Sequence, residues 1–175
     1  MNFGRYAILA IVVVVIMAAV GILFFVSAAN AEVVKAGDNV SVYYTGSFTN
    51  GTVFGSNVGQ APLNFTVGAG QLIPGFDFGV VGMRLDQNKT ITVTPQEGYG
   101  EVNSSLFVSV PVNAFGVNST ANIIIGTPVT RIANGIQEHG VIAAVVSNDV
   151  TVNFNSPLAG HTLVFKIEVV AIHKP

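Results

Sequence analysis

Hydrophobic and polar positions along this chain follow three patterns. From Ala7 to Ala29 every residue is uncharged and almost all are apolar, a run at or above the ~20 residues needed to cross a bilayer. Beyond it, apolar residues alternate with polar ones or cluster in short Val, Ile, Thr and Phe runs between Gly and Asn, the pattern of strands. Asn39 to Phe48 alternates, and Asn50-Gly51 after it is a hairpin-closing pair. Thr52 to Phe54 and Leu63 to Val67 are short strands, and Asp86-Gln87-Asn88-Lys89 marks a turn. Thr90 to Thr94 alternates again until Pro95, which cannot donate to a ladder. Thr162 to Ile172 is one long strand with Leu163, Phe165, Ile167 and Val169 on a common face.

The third pattern is Gln71 to Met83, with Leu72, Ile73 and Phe76 around Pro74-Gly75 and then a glycine-rich apolar run. Its intrinsic helix preference is poor, so it needs support from outside. A sheet wrapped round it would leave Leu72, Ile73 and Phe76 lining a concave apolar floor. The plainer alternative is a core segment with a turn.

From 106 to 154 lies a block that reads as self-contained. Leu106 to Val110, Ile123 to Ile125, Val129 to Ile132, Val141 to Ser147 and Val150 to Phe154 are β-prone, with turn pairs at Asn134-Gly135 and Asn148-Asp149. It predicts a small β-subdomain inserted into a host domain of 33–105 and 155–175, after an N-terminal segment of 1–32.

Composition narrows the function classes. The net charge is -2 and only 9% of residues are charged, so no basic patch tracks nucleic acid. Cysteine is absent, which excludes disulfides, a thiol nucleophile and thiolate metal sites. His139, His161 and His173 are far apart and in no ligand spacing, so neither metal nor cofactor is expected. Arg5 before the apolar run and Glu32 after it place the rest of the chain outside the cytoplasm. Ala29-Asn30-Ala31 resembles a signal-peptidase site, but the run exceeds the ~7–15 residues of a cleaved signal core, which favours a retained anchor. Asn-x-Ser/Thr triplets begin at Asn39, Asn50, Asn64, Asn88, Asn103 and Asn118; they are either glycan acceptors or a by-product of an Asn/Thr-rich surface.

Five motifs stand in order: Val42-Tyr43-Tyr44-Thr45-Gly46, Asn50-Gly51-Thr52-Val53-Phe54, Gln71-Leu72-Ile73-Pro74-Gly75-Phe76, Gly98-Tyr99-Gly100, and Thr162 to Val169. In that order and spacing the chain resembles FK506-binding-protein (FKBP) type peptidyl-prolyl isomerases from Val34 to Ile172. The block between Tyr99 and Thr162, with Val110-Pro111 leading in and Leu158-Ala159-Gly160 leading out, resembles the insert-in-flap domain of the SlyD-like subgroup. The resemblance implies an α+β fold, an antiparallel sheet wrapped round a short helix near 76–81, with a β-rich insert and an N-terminal transmembrane helix.

It also implies a prolyl pocket lined by Tyr44, Phe54, Leu63, Phe65, Leu72, Ile73, Phe76, Tyr99 and Phe165. Phe76 takes the floor position that is often tryptophan in the family. The catalytic roles fall to Tyr44, to the Ile73 backbone N–H as donor to the substrate carbonyl, and to the Tyr99 hydroxyl. The chemistry suits these residue types. Rotation about a prolyl amide needs no nucleophile, general base or metal, because a dry pocket favours the twisted, unconjugated amide over the planar one. One departure stands out: where the family usually has an aspartate after the phenylalanine, this chain has Gly55. Asp77 and Asp38 are candidate replacements.

The expected function is a membrane-anchored peptidyl-prolyl isomerase with a chaperone insert, acting as a monomer on unfolded or proline-containing polypeptide clients outside the cytoplasm. A second reading is a holdase with weak or no isomerase activity. A third, outside the family, is a glycosylated β-rich surface or adhesion module. The histidine- and cysteine-rich metal-handling tail of some SlyD-like proteins has no counterpart in Ile172-His173-Lys174-Pro175.

Overall fold

The computed structural model describes residues 32–117 and 120–175. The expected transmembrane segment, the possible cleavage site and the Asn118 triplet lie outside them. Among the described residues no helix is long and apolar enough to cross a membrane.

One antiparallel sheet is built from β1 (Asn39–Phe48), β2 (Val53–Ser56), β3 (Leu63–Thr66), β4 (Asn88–Val93) and β9 (Leu163–His173). Its order is β2-β1-β9-β4, and β3 takes the same edge of β1 beyond β2. The long alternating strands sit at the centre because their apolar face is continuous. Val40, Val42, Leu163, Phe165, Ile167 and Val169 are all buried and pack on Phe65, Phe76, Val80 and Met83. Gly51, at φ 88, supplies the left-handed conformation for the β1–β2 turn.

Among the described residues there is a single α-helix, α1 (Pro74–Gly79), which starts two residues before the expected position and ends two residues earlier. Pro74 opens it because its φ is already helical and its missing N–H costs nothing there. The glycines that weaken the helix locally are what let it reach the sheet. A Cβ on Gly75 would stand 2.6 Å from a Val93 methyl, and one on Gly79 2.5 Å from the Ile91 tip.

Between β4 and β9 the chain forms a second antiparallel sheet of β5 (Phe107–Pro111), β6 (Pro128–Ala133), β7 (Ile136–Val146) and β8 (Asp149–Asn153), ordered β5-β8-β7-β6. Its own core gathers Val112, Ile142, Val150 and Val152. Asn134 and Gly135 both have positive φ, 52° and 79°, the mirror-image turn that matches strand twist. β7 therefore begins at Ile136, five residues before the expected start. Two expectations fail. Ile123 to Ile125 is not a strand: it follows a 3-10 turn at Thr120–Asn122, and Gly126 at φ 90 bends the chain away. The last hairpin turns at Ser147-Asn148 rather than Asn148-Asp149, with Ser147 at φ 54 and Val146 opposite Asp149.

The linkers between the sheets are clamped by Asn155, which is 9% exposed. Its Oδ1 accepts from the Asn103 N–H at 2.8 Å and its Nδ2 donates to the Asn103 carbonyl at 3.0 Å. One amide side chain thus acts as a ladder rung where no strand pair exists.

Asp38, one candidate to replace the missing aspartate, has another task. Its carboxylate accepts from Lys174 Nζ at 2.6 Å and from the Lys35 N–H at 2.7 Å, tying the start of β1 to the chain's end. The Lys174 hydrogen bond first, and the Lys35 N–H second, hold its pKa below the ordinary 3.8. A depressed carboxyl adds stability that is complete above its unfolded value and is lost as pH falls through the native one. Lys174→Gln is therefore expected to flatten the acid limb of stability against pH below about 4, measured by urea unfolding across pH, and to leave the slope above pH 6 unchanged.

Candidate active site

β1, β2, β3, α1 and β9 bring their aromatic rings to one place. Phe76 projects from the first turn of α1 into the concave face of the sheet. Its ring meets Tyr44 at 5.6 Å and Phe165 at 5.2 Å, both edge-to-face, and Phe65 at 5.9 Å. Phe54 meets Phe165 edge-on at 5.7 Å. Gly46 permits this crowding, since a Cβ there would stand 2.7 Å from the Phe54 ring and 2.9 Å from Phe165.

Above these rings lies a cavity of about 590 Å³, lined by Tyr44, Phe54, Leu63, Leu72, Ile73, Phe76, Tyr99 and Phe165, and also by Gly55, Gly70, Gln71 and Leu158. Of the residues expected at the pocket, only Phe65 is not in the lining: it is 3% exposed and packs behind Phe76. Tyr99 stands at the mouth, 45% exposed. Ile73 precedes the helix with extended backbone, φ -59 and ψ 139. Its carbonyl accepts from Phe76 and Asp77, while its N–H has no partner among the described residues.

Three contributors escaped the sequence reading. Leu158 belongs to the linker returning from the second sheet, so that linker supplies part of the cavity wall. Gln71 fastens the floor, its Oε1 accepting from the Thr66 N–H at 3.0 Å. Asn57 supports Tyr44: its Oδ1 accepts from the Tyr44 N–H at 2.7 Å and its Nδ2 donates to the Val42 carbonyl at 3.0 Å. β2 leaves β1 at this point and β3 has yet to join, so a side chain supplies the missing rung. No periodicity marks such a residue. Asn57→Ala is expected to cost about 1–3 kcal/mol of stability by stranding two partly buried backbone groups. It should also lower kcat/KM by loosening Tyr44, read from chemical unfolding beside a prolyl-peptide assay.

Neither aspartate replaces the one absent at Gly55. Asp77 is 2% exposed, lies outside the lining and accepts from the Gly68 N–H at 2.8 Å; Asp38 is held by Lys174. The cavity lining is mostly apolar and aromatic, with Tyr44, Gln71 and Tyr99 as its polar side chains.

Residues 30–170 match the family model for FKBP-type peptidyl-prolyl cis-trans isomerases. The chain belongs to that family. Among its relatives is a probable FKBP-type 16 kDa peptidyl-prolyl cis-trans isomerase of Pseudomonas fluorescens, 28% identical over 134 residues, or 76% of this chain and 87% of that protein. The short-type peptidyl-prolyl cis-trans isomerase of Methanocaldococcus jannaschii is 36% identical over 108 residues, 62% of this chain and 66% of the relative. FK506-binding protein 2 of Yarrowia lipolytica is 43% identical over 68 residues, 38% of this chain; there the match spans just under half of the relative, 47%. As an FKBP-type protein this chain is a peptidyl-prolyl cis-trans isomerase, an activity that needs no group the cavity lacks for bond breaking, since no bond breaks.

Proposed function

We propose that this isomerase is a SlyD-like, membrane-anchored enzyme facing away from the cytoplasm, whose second sheet is an insert-in-flap domain that holds unfolded or proline-containing chains beside the cavity. The observation that carries the reading is the single apolar hollow shared by Tyr44, Phe54, Leu72, Phe76, Tyr99 and Phe165, with the unpartnered Ile73 N–H at its edge.

A prolyl ring enters against Phe76, and the Ile73 N–H holds the carbonyl on the far side of the rotating bond. The planar amide, stabilised by ~18–20 kcal/mol of resonance barrier, loses charge separation as it twists. A low-dielectric wall stabilises that twisted form relative to the planar one, and Tyr44 and Tyr99 offer hydroxyl donors to the carbonyls beside it.

Two observations support the holding role. The inserted block exposes Ile124, Ile125, Ile132, Ile136 and Val146, each more than 60% accessible, and exposed apolar side chains of this size are what an extended apolar client would cover. Leu158, in the linker that returns from that sheet, lines the cavity. The matches of 134 and 108 residues to the bacterial and archaeal relatives are also longer than the isomerase segments alone. The 7–29 apolar run supports the anchor.

Gly55 favours a second reading, in which holding is strong and catalysis weak. A soluble 33–175 fragment, assayed for prolyl-peptide isomerisation and for suppression of aggregation of an unfolded protein, decides between them. Isomerisation lowered at least about tenfold in Phe76→Leu with undiminished suppression supports the two-site enzyme. Suppression without measurable isomerisation supports the holdase, and absence of both overturns the proposal.

A further inference from the structure

The point at which the chain enters the described domain is rigidly placed. Val33 forms a bridge with Arg84. The Val34 N–H donates to the Met83 carbonyl at 2.8 Å, the Val34 carbonyl accepts from Gly82 at 2.9 Å, and Lys174 Nζ donates to the Val33 carbonyl at 2.9 Å. Val34 itself is 1% exposed. The chain is therefore pinned to the loop between α1 and β4. The apolar run ends at Ala29, four residues before Val33, and four residues of fully extended chain reach no more than about 14 Å.

Around this point three large apolar side chains stand in water: Phe78 at 58%, Leu85 at 52% and Val81 at 41% accessible. A Cβ built on Gly68 would touch both the Phe78 ring and the Ala36 methyl at 3.8 Å, so Phe78 and the entering segment flank the same glycine. Single exposed apolar residues are ordinary. Three of them gathered within reach of a bilayer-length apolar run are not scattered in that way. Lys35 and Arg84 are exposed beside them, and Lys89 Nζ donates to the Gly79 carbonyl at the end of α1. Glu32 and Asp86 are exposed in the same region, so the charges nearly balance and apolar burial, rather than attraction to anionic lipid, is the driving term.

We propose that Phe78, Val81 and Leu85 seat the domain in the interfacial layer of the membrane that holds residues 7–29. This rests on the anchored reading above and adds an orientation to it. The entering segment lies at the Asn39, Asn88 and His173 end of the sheet, whereas the linkers to the second sheet lie near Phe48, Val93 and Leu163 at the opposite end. β1 and β9 are ten and eleven residues long, so at ~3.3 Å per residue they hold the second sheet roughly 30 Å from the bilayer. Clients are thus captured on the side remote from lipid, and long apolar clients are kept from partitioning into it before release.

Because the chain has no cysteine, single substitutions report cleanly. The full chain is reconstituted in phosphatidylcholine vesicles with an environment-sensitive fluorophore on Phe78→Cys, Val81→Cys or Leu85→Cys, and on Ile132→Cys or Val146→Cys in the second sheet as distant controls. Expected is several-fold stronger quenching by a shallow lipid-borne nitroxide at 78, 81 and 85 than at 132 and 146, unchanged by raised salt. Carbonate-resistant sedimentation with equal, weak quenching at all five positions overturns the seat while leaving the anchor intact. Fluorophores at 78, 81 and 85 shielded from water but not quenched by the lipid label point to a second copy on this face and also overturn it. Failure to sediment overturns the anchored reading and the seat together.

Discussion

Gly55→Asp is expected to raise kcat/KM on a prolyl peptide by about tenfold, equivalent to roughly 1.4 kcal/mol of transition-state stabilisation. Gly55 lines the cavity opposite Gly46 in the β1–β2 ladder. A Cβ there meets nothing within 4 Å, and its φ lies outside the left-handed range, so the backbone accepts a side chain at this position without strain. The new carboxylate would sit in a cavity whose lining holds no other acidic side chain. There a fixed charge acts on the twisting amide and on the Tyr44 hydroxyl with little screening, a kind of contact worth on the order of 1–3 kcal/mol. Gly55→Asn separates the two contributions, matching aspartate in shape without its charge. A gain for aspartate and none for asparagine assigns the effect to electrostatics. An unchanged rate in a stably folded Gly55→Asp protein would mean that the absent carboxylate does not limit this enzyme.

Phe76→Ala is expected to cost about 3–5 kcal/mol of stability, the usual range for emptying a buried aromatic site. The ring is 4% exposed and contacts Tyr44, Phe65 and Phe165 at once, so the space left behind cannot collapse without moving the sheet. A domain of ordinary stability, about 5–15 kcal/mol, then sits near its folding threshold at 37 °C. Phe76→Leu is the diagnostic partner. It keeps most of the volume and loses the edge-to-face contacts, each worth about 0.5–1.5 kcal/mol, so the domain should remain folded in a thermal melt while kcat/KM falls by at least about tenfold. Leu at 76 with wild-type catalysis would reduce Phe76 to a core residue and remove the floor of the proposed prolyl site.

The central strands were legible because alternation is a local property. β1, β4 and β9 each carry an apolar face that has to be buried somewhere. The Asn50-Gly51 and Asn134-Gly135 turns announced themselves through residues that tolerate positive φ. The cavity residues were legible only as ordered motifs, since Tyr44, Phe54, Phe76 and Phe165 carry no periodic sign that their rings converge. Phe65 shows the limit of that reading, because a position in the motif does not say which side of the Phe76 ring a neighbour occupies.

Asn57 and Asn155 were invisible for a different reason. Each replaces a rung between segments that are distant in sequence or about to part, and an asparagine earns that role only from the backbone groups placed before it. Asp38 and Asp77 looked equally available for the cavity until their partners, Lys174 and the Gly68 N–H, were seen to occupy them. The boundaries of α1 belong to the same class: Gly75 and Gly79 disfavour a helix on their own and favour this one only because Val93 and Ile91 lie within contact of it. Patterning along the chain determined which residues must leave water and in what kind of element. Which of them meet, which polar groups are already spent on one another and which stay free for a substrate was decided by the packed fold, because those are facts of distance between segments that local sequence does not carry.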